Sequence, residues 1–299
     1  MELRHLRYVV AIADELHFTR AAEKLGIAQP PLSQQIKKLE KELGTVLFIR
    51  SAHGVQLSDA GMAFVNHARM AIKEATRAVE AAKRAAEGLE GVIHLGFTGS
   101  ASFNPAVTSL ISAYREQHPL VEISLTEEPT VFLLEKIYKN VIDVGFMRPT
   151  MSERGKLVTL ALPEEKLLVV LPDKHRLAER KYVHLVELSG EKFILYPRNH
   201  GSLLYDNIIY SCRNAGFSPD VIQEAPQLTS TINLVATGVG IALVPESMRQ
   251  LRPSGIRYID ILDVPPGRML WLCQQHPAFV SNVTRQFMHF AEEHILSLI

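Results

Sequence analysis

Residues 59–87 contain no proline and a single glycine, Gly61, and they divide the chain into two parts of different character. Alanine, the strongest helix former, recurs throughout this stretch. The sequence therefore predicts one long helix from Asp59 to about Glu87. Any fold for this chain must connect a shorter first part and a longer second part through that rod.

The apolar residues of this predicted helix follow a heptad pattern. Their spacing alternates between three and four residues along Val65, Ala68, Ile72, Ala75, Val79, Ala82 and Ala86. At a rise of 1.5 Å per residue the seam is about 32 Å long, which is more than one small domain can cover. We therefore predict that a helix from a second copy of the chain packs along it. Packing against the protein's own residues is the alternative.

Residues 1–58 are predicted to form three short helices and a hairpin. Apolar positions repeat with helical spacing in residues 3–14 and 19–25, a glycine can end the second helix, and Pro30 suits the first turn of a third. The segment VLFIRSAHGVQLS then alternates in polarity around a glycine turn. Three helices followed by a hairpin are typical of a winged helix-turn-helix domain.

The third helix has two chemically distinct sides when the chain advances 100° per residue. The apolar side, which we expect to be buried, consists of Leu32, Ile36, Leu39 and Leu43. The other side consists of Pro30, Ser33, Gln34, Lys37 and Lys41. Its hydroxyl, amide and ammonium groups can meet base edges and phosphates. A merely solvated face is the alternative, but the order of helix, glycine turn, helix and hairpin favours DNA binding.

This part of the chain is only mildly basic. The whole chain has a formal net charge of zero, whereas residues 1–58 carry eight basic and six acidic side chains, a net of +2. Because phosphate neutralisation supplies most non-specific DNA affinity, one copy is expected to bind weakly. Several linked copies would recover the affinity, which agrees with the heptad seam.

The same block resembles the DNA-binding domain of LysR-type transcriptional regulators. The matching positions are Phe18, Ala21, Ala22, Leu25, Gln29, Pro30, Leu32, Ser33, Ile36, Leu39, Glu40, Leu43, Gly44, Leu47, Phe48 and Arg50. The opening MELRHLRY and the sequence AQPPLSQQI resemble the branch of that family that controls aromatic-compound catabolism in bacteria. The segments HLGF, DVGFMR and GVGIALVP extend the resemblance over the whole chain. A transcriptional regulator that binds double-stranded operator DNA and responds to a small molecule is the expected function.

The resemblance implies which residues face DNA and how the protein assembles. Together with the polar side of the third helix, it predicts DNA contacts at Thr19, Arg20, Gln29, Pro30, Pro31, Ser33, Gln34, Lys37, Arg50 and His53. Gln34 departs from that branch, in which arginine is common at this position, and glutamine pairs best with adenine. The family also implies a homotetramer, built as a dimer of dimers, in which the effector alters the bend of the operator.

The part of the chain from residue 88 onward alternates short apolar strands with helical segments, which is typical of an α/β fold. Expected strands are residues 92–97, 121–125, 142–146, 167–171, 193–196, 221–223, 241–244 and 269–273, and expected helices are residues 105–117, 203–215, 228–237 and 280–299. We predict two lobes, similar to those of periplasmic binding proteins. Residues 88–162 with 265–299 form one lobe, and residues 163–264 form the other. The predicted fold class is thus an N-terminal all-α winged helix-turn-helix, a linker helix and a C-terminal two-lobed effector domain.

A cleft between two such lobes is the expected ligand site. The predicted effector-binding residues are Thr98, Gly99, Ser100, Ala101, Ser102, Thr130, Arg148, Tyr196, Ser202 and Gln227. The first five offer hydroxyls and backbone amides that could bind an anion or simply cap a helix. Arg148 follows a strand at its carboxyl end, where open α/β sheets hold ligands, although it could equally pair with Glu127 or Glu128. Together these residues suggest a small organic acid, either aromatic or a dicarboxylate.

Enzyme signatures are missing from the sequence. GxSxG and HExxH do not occur, and His289 and His294 are five residues apart, which does not place two metal ligands on one helix face. We expect neither a catalytic role nor a metal or cofactor. Gly238 and Gly240 follow a helix and precede a strand, the reverse of a dinucleotide fingerprint, so they are predicted to end the helix.

Cys212 and Cys273 are far apart and have no other thiols near them in sequence, which favours a reducing cytoplasm over a disulfide. A regulator that senses oxidation through them is one alternative function, and a solute receptor is another. No stretch approaches the roughly 18 to 20 apolar residues that span a bilayer. The opening MELRHLRYVV lacks the apolar core of a signal peptide. A cytoplasmic protein without membrane association is expected.

Overall fold

The computed structural model describes residues 1–51, 54–267 and 270–298. The chain forms two compact units, Met1–Arg84 and Ala85–Ile299. The first is helical with a small hairpin, and the second contains two α/β lobes. Within the described ranges, every helix is too short or too polar to cross a membrane.

The first unit has the predicted order of three helices, a hairpin and a long helix. The bounds are α1 Leu3–Glu15, α2 Phe18–Leu25, α3 Gln29–Leu43, β1 Phe48–Ser51, β2 Gly54–Leu57 and α4 Asp59–Glu87. Gly26 and Gly44 end α2 and α3 with φ angles of 68° and 70°, a conformation that glycine adopts without a Cβ clash. Gly26 therefore ends the helix that precedes α3, and Gly44 ends α3 itself.

The core of the first unit lies between α1, α2, α3 and the start of α4. Its most deeply buried apolar side chains include Val9, Ile12, Ala21, Leu32 and Ile36. The sequence prediction was wrong for Leu43, which is 37% exposed. Leu43 is the last residue of α3, so its side chain lies beyond the edge of that core.

Helix α4 buries only the first part of its heptad seam within the chain. Val65 and Ala68 are 6% and 2% exposed. The seam residues further along are exposed, namely Val79, Ala82 and Ala86. Packing against the protein's own residues therefore accounts for the beginning of the seam and leaves the rest uncovered.

The second unit supplies the remaining elements. Its helices are α5 Pro105–Gln117, α6 Thr130–Tyr138, α7 Met151–Arg154, α8 Ser202–Asn214, α9 Leu228–Ala236 and α10 Asn282–Leu296. Its strands are β3 Gly91–Phe97, β4 Val121–Glu127, β5 Val144–Met147, β6 Val158–Ala161, β7 Leu167–Pro172, β8 Tyr182–Val183, β9 Lys192–Leu195, β10 Asp220–Glu224, β11 Ala242–Pro245, β12 Ile256–Ile261 and β13 Trp271–Gln274.

The first lobe contains a five-stranded sheet in the order β4-β3-β5-β13-β6. Strands β4, β3 and β5 run parallel, whereas β13 is antiparallel to both of its neighbours. Helices α5 and α10 pack on one face of the sheet, and α6 packs on the other. The parallel strands place the loops that follow them at one edge, and this edge faces the second lobe.

The second lobe contains a four-stranded sheet in the order β11-β7-β12-β8 and a parallel pair, β9 with β10. Every residue from Leu167 to Leu171 is buried, because β7 lies between two antiparallel partners and under α9. Helices α8 and α9 thus pack on the core of this lobe.

The chain passes between the two lobes twice. The backbone amide of Glu165, on the first crossing, donates to the carbonyl of Gly267, on the second, at 3.0 Å. The amide of Gly267 returns a bond to the Glu165 carbonyl at 3.1 Å. The two crossings therefore form one hydrogen-bonded hinge.

Three strands of the second unit, β6, β8 and β12, were not predicted from the sequence. Strand β8 has only two residues, too few to give a polarity pattern. Gly238 does end α9, with a φ of 80°, but the prediction for Gly240 was wrong. A Cβ there would lie 2.5 Å from the carbonyl oxygen of Lys192, so this glycine allows two segments to pack closely.

Candidate nucleic-acid interface and ligand cavity

The polar side of α3 is presented to solvent. Among the predicted DNA contacts, the exposed residues are Thr19, Arg20, Pro30, Pro31, Gln34, Lys37 and Arg50, and the half-buried ones are Gln29 and Ser33. Within the described ranges, no side-chain hydrogen bond engages Gln34 or Lys37. Their amide and ammonium groups are therefore available to base edges and phosphates. His53 lies outside the described residues.

Arg50 ties the hairpin to the third helix. Its Nη2 donates to the Ser33 hydroxyl at 2.8 Å, and its guanidinium lies 4.1 Å from the centroid of the Phe18 ring. An arginine over an aromatic face is held by the negative charge of the ring's π cloud. The sequence predicted Arg50 and Ser33 as separate contacts, whereas the fold joins them on one side of the domain.

Other polar groups of the first unit hold the frame around α3. Arg20 Nη2 donates to the backbone carbonyl of Glu15 at 2.7 Å, so this predicted contact residue is turned toward the end of α1. The Glu40 carboxylate accepts the amides of Leu47 and Phe48 at 2.8 and 3.1 Å. This carboxylate fixes the start of the hairpin to α3.

A cavity of about 240 Å³ lies between the two lobes of the second unit. Seven of the ten predicted effector-binding residues line it: Thr98, Gly99, Ser100, Thr130, Arg148, Tyr196 and Gln227. Pro129, Leu204 and Pro226 also line the cavity and were not predicted from the sequence. The signal that could have found the two prolines is position, since each lies one or two residues before a helix, α6 or α9.

The structure does not bring the other three predicted residues, Ala101, Ser102 and Ser202, to the cavity wall. The amide of Ala101, a fully buried residue, donates to the carbonyl of Thr98 at 2.7 Å. The Ser102 hydroxyl donates to the carbonyl of Gly99 at 2.7 Å. The turn after β3 thus uses these groups for its own hydrogen bonds, as the capping alternative predicts.

Arg148 is the only positively charged Lys or Arg side chain among the described cavity residues. It follows β5, and its Nη1 donates to the hydroxyls of Ser100 and Thr98 at 2.6 and 3.2 Å. Its Nε and Nη2 are buried without a hydrogen-bond partner in the described residues. Burial lowers the pKa of Arg148, and the negative charge of Glu165 opposes that shift. Arginine nevertheless stays charged in proteins, so the cavity holds a fixed cation.

The carboxylate beside Arg148 is neither of the two that the sequence suggested. Arg148 Nη2 lies 3.9 Å from Glu165 Oε2, and both side chains are almost fully buried. Glu165 Oε1 accepts the amide of Ser247 at 2.6 Å. Glu128 instead pairs with Lys136. The prediction of a Glu127 or Glu128 partner was therefore wrong, because the two crossings of the chain bring Glu165 under the cavity.

Tyr196 provides a neutral wall on the side of the second lobe. Burial raises the pKa of Tyr196 to about 12, although the charge of Arg148 acts in the opposite direction. Its phenol therefore remains protonated at neutral pH and can donate a hydrogen bond. The Tyr196 ring also lies edge-on to the imidazole of His200, with centroids 5.7 Å apart.

Neither of the cysteines belongs to this cavity. Both are free and buried, Cys212 in the core of the second lobe and Cys273 in the first. In the part of the chain that the structure describes, no group of three or more His, Cys, Asp or Glu side chains is arranged to hold a metal ion.

A winged helix-turn-helix with an exposed polar helix face, followed by a two-lobed domain with a cavity, defines a class: DNA-binding regulators that carry a ligand-binding domain. Residues 3–62 match the bacterial regulatory helix-turn-helix proteins of the lysR family, and residues 86–295 match the LysR substrate binding domain. The chain belongs to the LysR family of transcriptional regulators.

Individual relatives agree with this assignment. The chain is 36% identical to the HTH-type transcriptional regulator AlsR of Bacillus subtilis, over 86% of this chain and 85% of that protein. It is 37% identical to the HTH-type transcriptional regulator BenM of Acinetobacter baylyi, over 88% of this chain and 86% of that protein. The crystal structure of CbnR, a LysR family transcriptional regulator, superposes with a TM-score of 0.84 at 25% identity and covers 97% of this chain and 100% of that one. The chain is thus a DNA-binding transcriptional regulator and not an enzyme.

Proposed function

We propose that a small organic acid, aromatic or dicarboxylic, binds the cavity and changes how the protein holds its operator. Arg148 carries this proposal, because it is a buried guanidinium whose Nε and Nη2 have no hydrogen-bond partner among the described residues. A carboxylate can accept two parallel N–H bonds from a guanidinium. Unpaired buried donors cost about 1–3 kcal/mol each, so an acid that satisfies them binds favourably.

The operator contacts in this proposal come from the polar side of α3 and from the hairpin. Gln29, Pro30, Ser33 and Gln34 face the major groove, and Lys37 contacts a phosphate. Arg50, which is bonded to Ser33, lies near the DNA backbone. Two such domains would contact half-sites about one helical turn apart, or multiples of it. The mild positive charge of this domain supports the use of several copies at once.

The second part of the heptad seam on α4 supplies the pairing of these copies. Val79 is 58% exposed, and Ala82 and Ala86 beyond it are exposed as well. A homodimer formed through this seam, and a homotetramer built from two dimers, are part of the proposal. The effector would act by binding two arrangements of that assembly with different affinities, since only a difference in affinity can shift an equilibrium.

Membership of the aromatic-catabolism branch, and action in the cytoplasm, remain part of the proposal. The resemblance of MELRHLRY and AQPPLSQQI to that branch supports the first. The Gln34 position, at which the chain departs from the branch, implies an operator that differs from those of its relatives.

The DNA part can be tested by selecting bound sequences from a random library and titrating the best one at several salt concentrations. Lys37→Ala should weaken binding to all sequences by a similar factor and reduce the salt slope by about 1. Lys83→Ala, an exposed lysine of α4, is the matched control. An unchanged slope for Lys37→Ala would remove this residue from the interface.

The effector part can be tested by thermal shift with a panel of aromatic acids, aliphatic monoacids and small dicarboxylates. A true ligand at 100 times its Kd stabilises by about 2.7 kcal/mol, which is a shift of several degrees for a unit of this size. Arg148→Ala should abolish the shift, whereas Arg115→Ala, an exposed arginine of α5, should retain it. Survival of the shift in Arg148→Ala would disprove the acid site.

A further inference from the structure

The charges around the cavity are unequal. Arg148 provides a single guanidinium, whereas Glu127 and Glu128 both line the same cavity and Glu165 lies beneath Arg148. Glu128 is compensated by its ion pair with Lys136. A ligand with one carboxylate finds the guanidinium of Arg148, but a second carboxylate finds no further Lys or Arg among the described cavity residues.

Glu127 is the uncompensated acid of the cavity. It is exposed at the end of β4, and no side-chain partner engages it within the described ranges. A Cβ at Gly99 would lie 3.0 Å from Glu127 Oε1, so this carboxylate lies against the backbone of Gly99. The two neighbours of Gly99, Thr98 and Ser100, hold the guanidinium of Arg148. The acceptor Glu127 and the donor Arg148 therefore flank the same short turn.

The rest of the wall offers an apolar surface. Pro129, Leu204, Pro226 and Leu228 line the cavity, and the Tyr196 ring lies among them. Such a wall suits the flat or branched body of a small hydrophobic acid. It offers no cation to a second charged group on that body.

We infer that the effector is a monocarboxylate whose body carries a hydrogen-bond donor, such as a hydroxyl group, directed at Glu127. This inference rests on the proposed acid site and decides between its two ligand classes. The carboxylate of the ligand binds Nε and Nη2 of Arg148, and its hydroxyl donates to the Glu127 carboxylate. A dicarboxylate should bind more weakly, because its second charge would face Glu127 instead of a cation.

Three compounds of matched shape test this inference: benzoate, 3-hydroxybenzoate and isophthalate. They differ only in the group at the ring position meta to the carboxylate, which is hydrogen, hydroxyl or a second carboxylate. Calorimetric titration at about pH 7 keeps both acids of isophthalate ionised. We expect 3-hydroxybenzoate to bind at least about tenfold more tightly than isophthalate, because like charges at close range repel.

Glu127→Gln should reduce the ratio of the isophthalate Kd to the 3-hydroxybenzoate Kd by about tenfold, since it removes the repelling charge. The Kd of benzoate should change little. Glu122→Gln provides a matched control, because Glu122 is an exposed glutamate on the same strand and does not line the cavity. In Glu122→Gln the ratio of these two Kd values should equal that of the unmodified protein.

The outcomes separate the inference from the proposed function. If isophthalate binds as tightly as 3-hydroxybenzoate and Arg148→Ala abolishes both, the acid site stands and the inference of a monoanion is wrong. If none of the three compounds binds the unmodified protein, the inference is overturned, and the aliphatic members of the earlier panel decide whether an acid site exists at all. An unaltered ratio in Glu127→Gln also overturns it.

Discussion

The exposed side of α3 and the wall of the cavity both offer donors to an anion, but they hold those donors differently. Gln34 and Lys37 are exposed and make no side-chain hydrogen bond within the described residues, so water screens each contact they make. Arg148 is 5% exposed, and two hydroxyls orient one of its nitrogens. In the proposed function, the DNA-reading surface therefore spreads its affinity over many weak contacts, whereas the cavity concentrates affinity on one buried group.

The largest effect should come from Arg148→Ala, which tests that concentration directly. Acid affinity should fall by more than about 100-fold, because truncating one member of a buried charge pair costs about 2–5 kcal/mol. Calorimetric titration measures the loss. The variant should also lose about 3 kcal/mol of unfolding free energy, since Glu165 is left buried without its cation.

A double variant separates stability from binding. Adding Glu165→Gln to Arg148→Ala should restore much of the unfolding free energy, measured by urea denaturation, without restoring acid binding. Recovery of acid affinity in the double variant would contradict the concentration of affinity on Arg148.

The next largest effect should come from Val79→Glu, which tests whether the DNA-reading surface depends on several copies. A charge in the exposed part of the seam should weaken self-association by at least about tenfold, measured by sedimentation equilibrium, and operator affinity should fall with it. Ala78→Glu, an exposed neighbour outside the seam, is the control. Equal behaviour of the two variants would mean that the seam does not pair the chains.

A smaller effect is expected from Gln34→Arg, which tests the base preference of a single exposed contact on α3. Arginine favours guanine where glutamine favours adenine, and each such contact discriminates by about 1–3 kcal/mol. Binding curves on operators permuted at each position should therefore change rank. Curves that all shift in parallel would show that the substitution adds charge without changing base preference.

The smallest effect is expected from replacing Cys212 and Cys273 together with alanine. Burial raises the pKa of Cys212 to about 11 and also raises that of Cys273. Because the thiolate is the reactive form, both thiols stay protonated and inert at neutral pH, and Cys212 ionises only as the pH approaches 11. Peroxide should leave operator binding unchanged in the unmodified protein and in the double variant. A peroxide response that the double variant loses would support the alternative of a regulator that senses oxidation.

The sequence predicted the fold well where local chemistry decides it. Gly26 and Gly44 mark the ends of helices through a backbone conformation that few other residues adopt, and the proline-free run after Asp59 has no competing structure. The two-residue strand β8 carried no such signal. It is defined by its parallel pairing with β12, a strand distant in sequence, which is a tertiary cause.

The residues of the candidate site were likewise predictable only where their local position in the sequence decides their role. Thr98 and Arg148 could be predicted because each follows a strand at the edge where ligands bind. Glu165 could not, since it reaches Arg148 only through the hinge formed with Gly267. Glu127 and Glu128 follow a predicted strand of the same lobe as Arg148 and were the natural candidates, but partner choice depends on how the lobes close.

Strand β13 lies between β5 and β6, although it follows the whole second lobe in the chain. A ribosome must therefore complete the winged domain and residues 163–270 before the first lobe can close its sheet. At 5–20 residues per second, synthesis of residues 163–270 takes roughly 5 to 20 seconds. During this time the DNA-reading domain of the nascent protein is complete, whereas the sheet that carries Arg148 still lacks β13.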